Sequence, residues 1–188
     1  MCFGGLKKMK KMLIVVDVQN DFITGALGSK DAQDVLPNIV NKIKEWDGDI
    51  IYTMDSHGYD YANTYEGKHL PIYHCVFETT GRDIPDEVFF ASKGKYMQVI
   101  NKGTFTCSEI YNKIKDLEIW NNEEYSEIQI IGLVTDICVI NVALMIVNEL
   151  CYRPNTKLVV DSSCCAGTTK DNHEAALKVM KSCLIDVI

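Results

Sequence analysis

Short β-branched apolar runs alternate with longer segments of helical spacing along nearly the whole chain, and this alternation restricts the fold more than any other feature. The runs fall at 12–16 (MLIVV), 49–53 (DIIYT), 96–100 (YMQVI), 127–132 (EIQIIG), 157–161 (KLVVD) and 184–188 (LIDVI). Between them, 33–46 places apolar residues at 35, 36, 39, 40, 43 and 46, the stripe of a helix packed by one face. Helices are also predicted over 107–117, 136–150 and 170–183. Strands that alternate with helices form βαβ units, so the fold class is α/β: an open, mainly parallel six-stranded sheet with helices on both faces. The stretch 54–95 has no strong period and is rich in Gly, Tyr, His and Asp; a connection of that length in a compact domain is usually functional.

Residues 1–11 carry four lysines and no apolar period, so they read as a disordered leader or start-site extension, with a single domain over 12–188. The apolar run that follows is interrupted by Asp17, too early for a secretory signal or a membrane span. The chain is therefore expected in the cytoplasm with its thiols reduced. A net charge of −7 disfavours nucleic acid and anionic membrane surfaces as partners. Eight cysteines are present without a CxxC pair, and most are expected to be small buried hydrophobes, the adjacent Cys164 and Cys165 included. Trp120 reads as a packing anchor.

Ligands of open parallel sheets bind beyond the carboxyl ends of the strands, near a topological switch point. Asp17, Gln19, Asn20, Asp21 and Phe22 follow the first strand, Asp55 and His57 the second, Lys102 the third, and Thr135, Asp136 and Cys138 the fourth. Cys138 stands at the head of a helix, where free N–H groups and the dipole favour a thiolate, and a Lys102 ammonium would lower its pKa further. Asp17 is the candidate general base, and backbone N–H groups of the turn could hold an oxyanion. The same positions also suit a strand-end cap and a core helix cysteine. Asp55 and His57, two apart in extended chain, point the same way and could share a cation with His74 and Glu66. Such an O/N donor set suits Zn, Mn or Fe, although loop histidines and carboxylates are also common without a metal.

The segments VVDVQNDF (15–22), TMDSH (53–57), LPIYHC (70–75), KGTF (102–105), GLVTDICV (132–139) and VVDSSCCAGTT with DNHEAAL (159–177) occur in one order at one spacing. In these the chain resembles the isochorismatase-like cysteine hydrolases, and among them the nicotinamidases. The resemblance implies a catalytic triad of Asp17, Lys102 and Cys138, with Cys138 as nucleophile and Asp17 as general acid/base. It implies a cis peptide near Leu133–Val134, with the N–H groups of Val134 and Cys138 as oxyanion hole. Asp55, His57 and His74 match metal ligands, and Glu66 an alternative carboxylate ligand, for a divalent metal that is zinc first, with manganese or iron as alternatives. Phe22 and Phe105 match positions that sandwich the substrate ring. Asn63 stands where many members carry a further histidine. Leu70 replaces an aromatic wall residue, which leaves Tyr73 as a candidate for that task.

The expected activity is deamidation of nicotinamide, or a close aromatic amide, to the acid and ammonia through a thioester. A metal-independent family member acting on a carbamoyl or ureido compound is the alternative, and a non-catalytic binding relative a third reading. A small-molecule amide is the expected partner, in a homo-oligomer (dimer or tetramer). Asp17→Asn and Lys102→Ala are both expected to raise the pH at which Cys138 titrates.

Overall fold

The computed structural model describes residues 10–188; of the segment 1–11 expected as a leader, 1–9 lie outside the described residues, while Lys10 pairs with Asp49 at 2.7 Å and Lys11 opens the first strand. That strand, β1 (Lys11–Val16), is followed by α1 (Asn20–Ile23), α2 (Lys30–Glu45) and β2 (Asp49–Asp55). The long connection then carries a single 3₁₀ turn (Tyr61–Asn63), α3 (Tyr65–His69) and α4 (Asp86–Ala91). After it come β3 (Met97–Lys102), α5 (Glu109–Asn121) and β4 (Glu127–Leu133). A π turn (Thr135–Val139) leads into α6 (Ile140–Glu149), and β5 (Lys157–Ala166), α7 (Lys170–Ser182) and β6 (Asp186–Val187) close the chain.

All six strands are parallel, in the order β3-β2-β1-β4-β5-β6. Because β1 is central and buried on both faces, it alternates between two cores. Met12, Ile14 and Val16 pack with residues of α5, α6 and α7, while Leu13 and Val15 pack with Ile39 and Ile43 of α2 and Val88 of α4. The order reverses direction between β1 and β4, so the crevice beyond their carboxyl ends is the switch point of the sheet. At this crevice Gly132 has φ +127°, and a Cβ on it would meet the Val16 carbonyl oxygen at 2.1 Å; only glycine allows β4 to pass β1 this closely. No helix among the described residues is long and apolar enough to cross a membrane.

Three expectations shift. The fifth strand runs on from 161 to Ala166 through a register shift between Ile130 and Gly132, because the Ser162 N–H and hydroxyl both find the Ile188 carbonyl. The helix expected over 136–150 begins instead as a π turn, with Val139 N–H bonded back to the Val134 carbonyl. Trp120 is 87% exposed: the buried face of α5 is set by Ile110, Ile114 and Leu117, and residue 120 falls off that stripe. Cys164 and Cys165 are buried free thiols, as expected.

Candidate active site

Four strand ends deliver one buried cluster. Asp17 follows β1 with φ +48°, a conformation that turns its carboxylate over the sheet edge, and Thr53 Oγ1 donates to Asp17 Oδ1 at 2.6 Å. Lys102, the last residue of β3, reaches Asp17 Oδ2 at 2.6 Å, Cys138 Sγ at 3.5 Å and Asp55 Oδ1 at 3.8 Å. Cys138 sits in the π turn just before α6, with the Leu133–Val134 peptide in the cis form behind it. Thr135 in the same turn shares a hydrogen bond with His173 of α7 at 2.8 Å, and Asp136 accepts from the Thr168 N–H and hydroxyl. Asp17, Lys102 and Cys138 are all at most 5% exposed.

At 5% exposure or less, charge is expensive unless it is paired. Burial pushes the Asp17 carboxyl up, and Lys102 and Thr53 pull it back only partway. Burial works against the Lys102 ammonium as well, but Asp17, Cys138 and Asp55 outweigh it and hold its pKa above the ordinary lysine value. The Cys138 thiol is raised, first by burial and then by the Asp17 carboxylate, with Lys102 opposing. This corrects the expectation of a lowered thiol. The resting pair is a thiol facing a carboxylate, so Asp17 is poised to accept the proton as sulfur attacks.

The sign has a direct consequence for Asp17→Asn. Removing the carboxylate leaves Lys102 unopposed beside sulfur, so the Cys138 titration should move to lower pH, opposite to the sequence-based expectation. Iodoacetamide labelling rates against pH check this; a midpoint at higher pH than the parent contradicts it.

Next to Cys138, three more side chains converge. His57 Nε2 lies 2.9 Å and His74 Nε2 3.3 Å from the same oxygen, Asp55 Oδ2. Donor atoms of Asp55, His57 and His74 all lie within 4.8 Å of one another, and all three residues are buried. Glu66 Oε1 stands at 3.5 Å from His74 and 3.9 Å from His57, outside that tight set but aimed at it. The His74 Nδ1 donates to the Ile72 carbonyl at 2.8 Å, which turns Nε2 toward Asp55 and Glu66. Burial disfavours charge on His74, yet hydrogen bonds to Asp55 and Glu66 push it up to about 10. Burial likewise opposes the Asp55 charge, but His57, His74 and Lys102 hold its carboxyl well below the ordinary range. Two imidazoles and a carboxylate crowded on one point are a donor set that a divalent metal fits.

Cys138 of the triad and Asp55 and His74 of the donor set open on one cavity of about 550 Å³, lined also by Phe22, Leu27, Glu66, Leu70, Phe105, Val134 and Ile137 among others. Phe22 is buried against His74, with ring centroids 5.6 Å apart, whereas Phe105 stands half exposed at the mouth. Tyr73, the candidate wall residue, points outward and is 51% exposed; Leu70 itself lines the cavity. Asn63 is exposed in its turn. Sequence reasoning missed Leu27, Ile137 and the Thr53 hydroxyl. For Thr53 a signal existed, since it is a polar residue within the otherwise apolar, buried stretch of β2.

Residues 11–188 match the family model of the isochorismatase domain. The nicotinamidase of Saccharomyces cerevisiae is 28% identical over an alignment that covers 79% of this chain and 86% of that protein. The crystal structure of the nicotinamidase/pyrazinamidase of Bacillus subtilis has a TM-score of 0.79 at 23% identity, covering 95% of this chain and 99% of the other. The pyrazinamidase of Pyrococcus horikoshii in complex with zinc has a TM-score of 0.70 at 23% identity, covering 95% and 98%. These two structural likenesses establish the α/β fold.

Proposed function

Because the chain belongs to the isochorismatase domain family, we propose that it is a cysteine amide hydrolase that deamidates nicotinamide or a close aromatic amide. The observation that carries this reading is the shared cavity. An apolar slot with Phe22 and Phe105 on its walls has the Cys138 thiol and the Asp55 and His74 donors along one lining, with His57 grouped beside those two. A flat, neutral, heteroaromatic ring suits such a slot. A curated nicotinamidase at 28% identity supports the same substrate class.

In this mechanism Asp17 takes the thiol proton while Sγ of Cys138 attacks the carboxamide carbon. The N–H groups of Val134 and Cys138 receive the developing oxyanion. Asp17 then hands its proton to the departing nitrogen, ammonia leaves, and a thioester remains on Cys138. Water attacks the thioester with Asp17 as base, which releases the acid and restores the thiol. Lys102 keeps Asp17 ionised at the start of each half and offsets negative charge on sulfur. Asp55, His57 and His74 would hold the divalent metal, zinc first and manganese or iron as alternatives, with Glu66 as a further ligand. When bound, such an ion supplies a Lewis-acid site with open positions for a pyridine-type ring nitrogen.

Metal removal tests this reading. Nicotinamide deamidation, followed as ammonia release, should fall at least about 100-fold after chelation and return when zinc is added. Because His74 is pushed up to about 10 when no cation is bound, the incoming metal must displace its proton. Apparent zinc affinity should therefore rise roughly tenfold per pH unit through the neutral range, as one proton is released per ion. Full activity in a protein stripped of divalent metal would remove the metal from the account.

A further inference from the structure

The triad and the metal ligands leave unexplained why residues 19–21, between Asp17 and Phe22, are Gln-Asn-Asp. Gln19 is completely buried, and every polar atom of its side chain is used. Its Oε1 accepts the Asp55 N–H at 2.8 Å, while Nε2 donates to the Asp55 carbonyl at 2.9 Å and to the Arg82 carbonyl at 2.8 Å. The β1–β2 ladder has just ended with Asp17 N–H on the Thr53 carbonyl. The Gln19 amide thus takes the place of the next peptide rung, holding Asp55 by both its backbone groups. Only a primary amide offers donor and acceptor in this way; a glutamate here would face two carbonyls.

Asp21 does the equivalent for the histidines. Its Oδ2 accepts the Cys75 N–H at 2.7 Å, and Oδ1 accepts the Ala26 N–H at 3.1 Å. Cys75 follows His74 directly and has φ +47°, a turn that needs such support in a non-glycine residue. Its carbonyl in turn accepts the His57 N–H at 3.0 Å. Asn20 ties the outer loop, with Nδ2 on the Thr80 carbonyl at 2.8 Å. Gly81 packs so tightly against this point that a Cβ would meet Asp21 Oδ2 at 2.2 Å.

We propose that Gln19 and Asp21 are positioning residues of the metal centre, which hold the backbones of Asp55, His57 and His74 so that the three ligands are assembled before a cation arrives. The proposal rests on the reading that these three residues bind the metal. It also ties both halves of the site to one short stretch of chain, because Asp17 precedes the clamp by two residues. Ligand-supporting groups of this kind commonly govern metal affinity by about 10–100-fold.

The test is zinc affinity, measured by competition with a chromophoric chelator, in Gln19→Met, Asp21→Asn and Gly81→Ala proteins. Gln19→Met keeps the volume and removes the amide. Asp21→Asn leaves one acceptor for the Cys75 and Ala26 N–H groups, so its NH₂ opposes one of them, and Gly81→Ala displaces the Asp21 carboxylate without touching any ligand. Each should bind zinc about 10–100-fold more weakly than the parent, while iodoacetamide labels Cys138 at a rate within about twofold of the parent. If Gln19→Met does not fold, Asp21→Asn and Gly81→Ala decide the matter. Folded variants that hold zinc as tightly as the parent overturn the proposal alone. A parent that takes up no zinc overturns the metal reading and this proposal with it.

Discussion

Cys138→Ala should lower amide hydrolysis by at least about 10⁴-fold while leaving the protein folded, because the nucleophile is the one part of the mechanism that nothing else in the cavity can replace. The other cysteine thiols that the structure describes are at 75, 107, 151, 164, 165 and 183, and none of them lines the cavity. Cys138 is 5% exposed in a core of aliphatic side chains, so loss of one sulfur atom leaves a small void and costs about 1 kcal/mol. Substrate binding should survive, since the ring walls and the donor set are untouched. Steady-state ammonia release, with thermal unfolding as the fold control, checks both halves. An alanine variant with activity within tenfold of the parent would end the nucleophile assignment.

Lys102→Met should be damaging in a different way, in activity and stability together. The ammonium contacts Asp17 at 2.6 Å and lies within 4 Å of Cys138 and Asp55, so its loss strands the buried Asp17 carboxylate, whereas Asp55 keeps His57 and His74. Removing one partner of a buried pair costs about 3–5 kcal/mol, and deamidation should fall about 10³-fold as the charge that stabilises sulfur disappears. The stability deficit carries a pH signature. Without Lys102 the Asp17 carboxyl rises still further above its unfolded value, so the penalty is present above the unfolded pKa and fades as acid protonates the group. Urea unfolding at neutral pH should therefore show a large gap from the parent, and unfolding near pH ~4 a smaller one. A gap that widens toward acid would mean Lys102 is not the counter-ion of Asp17.

Much of this site is legible in the sequence, for a topological reason. In a parallel sheet the reactive residues collect just after strand ends, and Asp17, Asp55, Lys102 and Cys138 each follow an apolar run in the sequence. The donors Asp55, at the end of β2, and His57, just past it, were readable from the period of extended chain, which points residues 55 and 57 to one side. His74 and Glu66 were named as candidates but no period placed them, because 54–95 has none; what brings His74 in is the bridge between His57 and Val76, a contact with no local signal. The extension of β5 was hidden because Ser162 and Ser163 read as a strand end, whereas Ser162 in fact pairs with the chain terminus. The direction of the thiol shift was misread for a deeper reason: charges are written in the sequence, but the burial that raises Cys138 is a property of the packed fold. Gln19 shows the same limit, since a glutamine after a strand says nothing about the peptide it will imitate.

The claim that this cavity is built for an aromatic amide is tested most directly by ammonia release from nicotinamide, pyrazinamide and a carbamoyl compound, compared as kcat/KM on zinc-loaded protein. Nicotinamide and pyrazinamide should be turned over at least about 100-fold more efficiently than the carbamoyl compound, and only in the presence of Cys138. No ammonia from nicotinamide, with efficient turnover of the carbamoyl compound, would contradict the account.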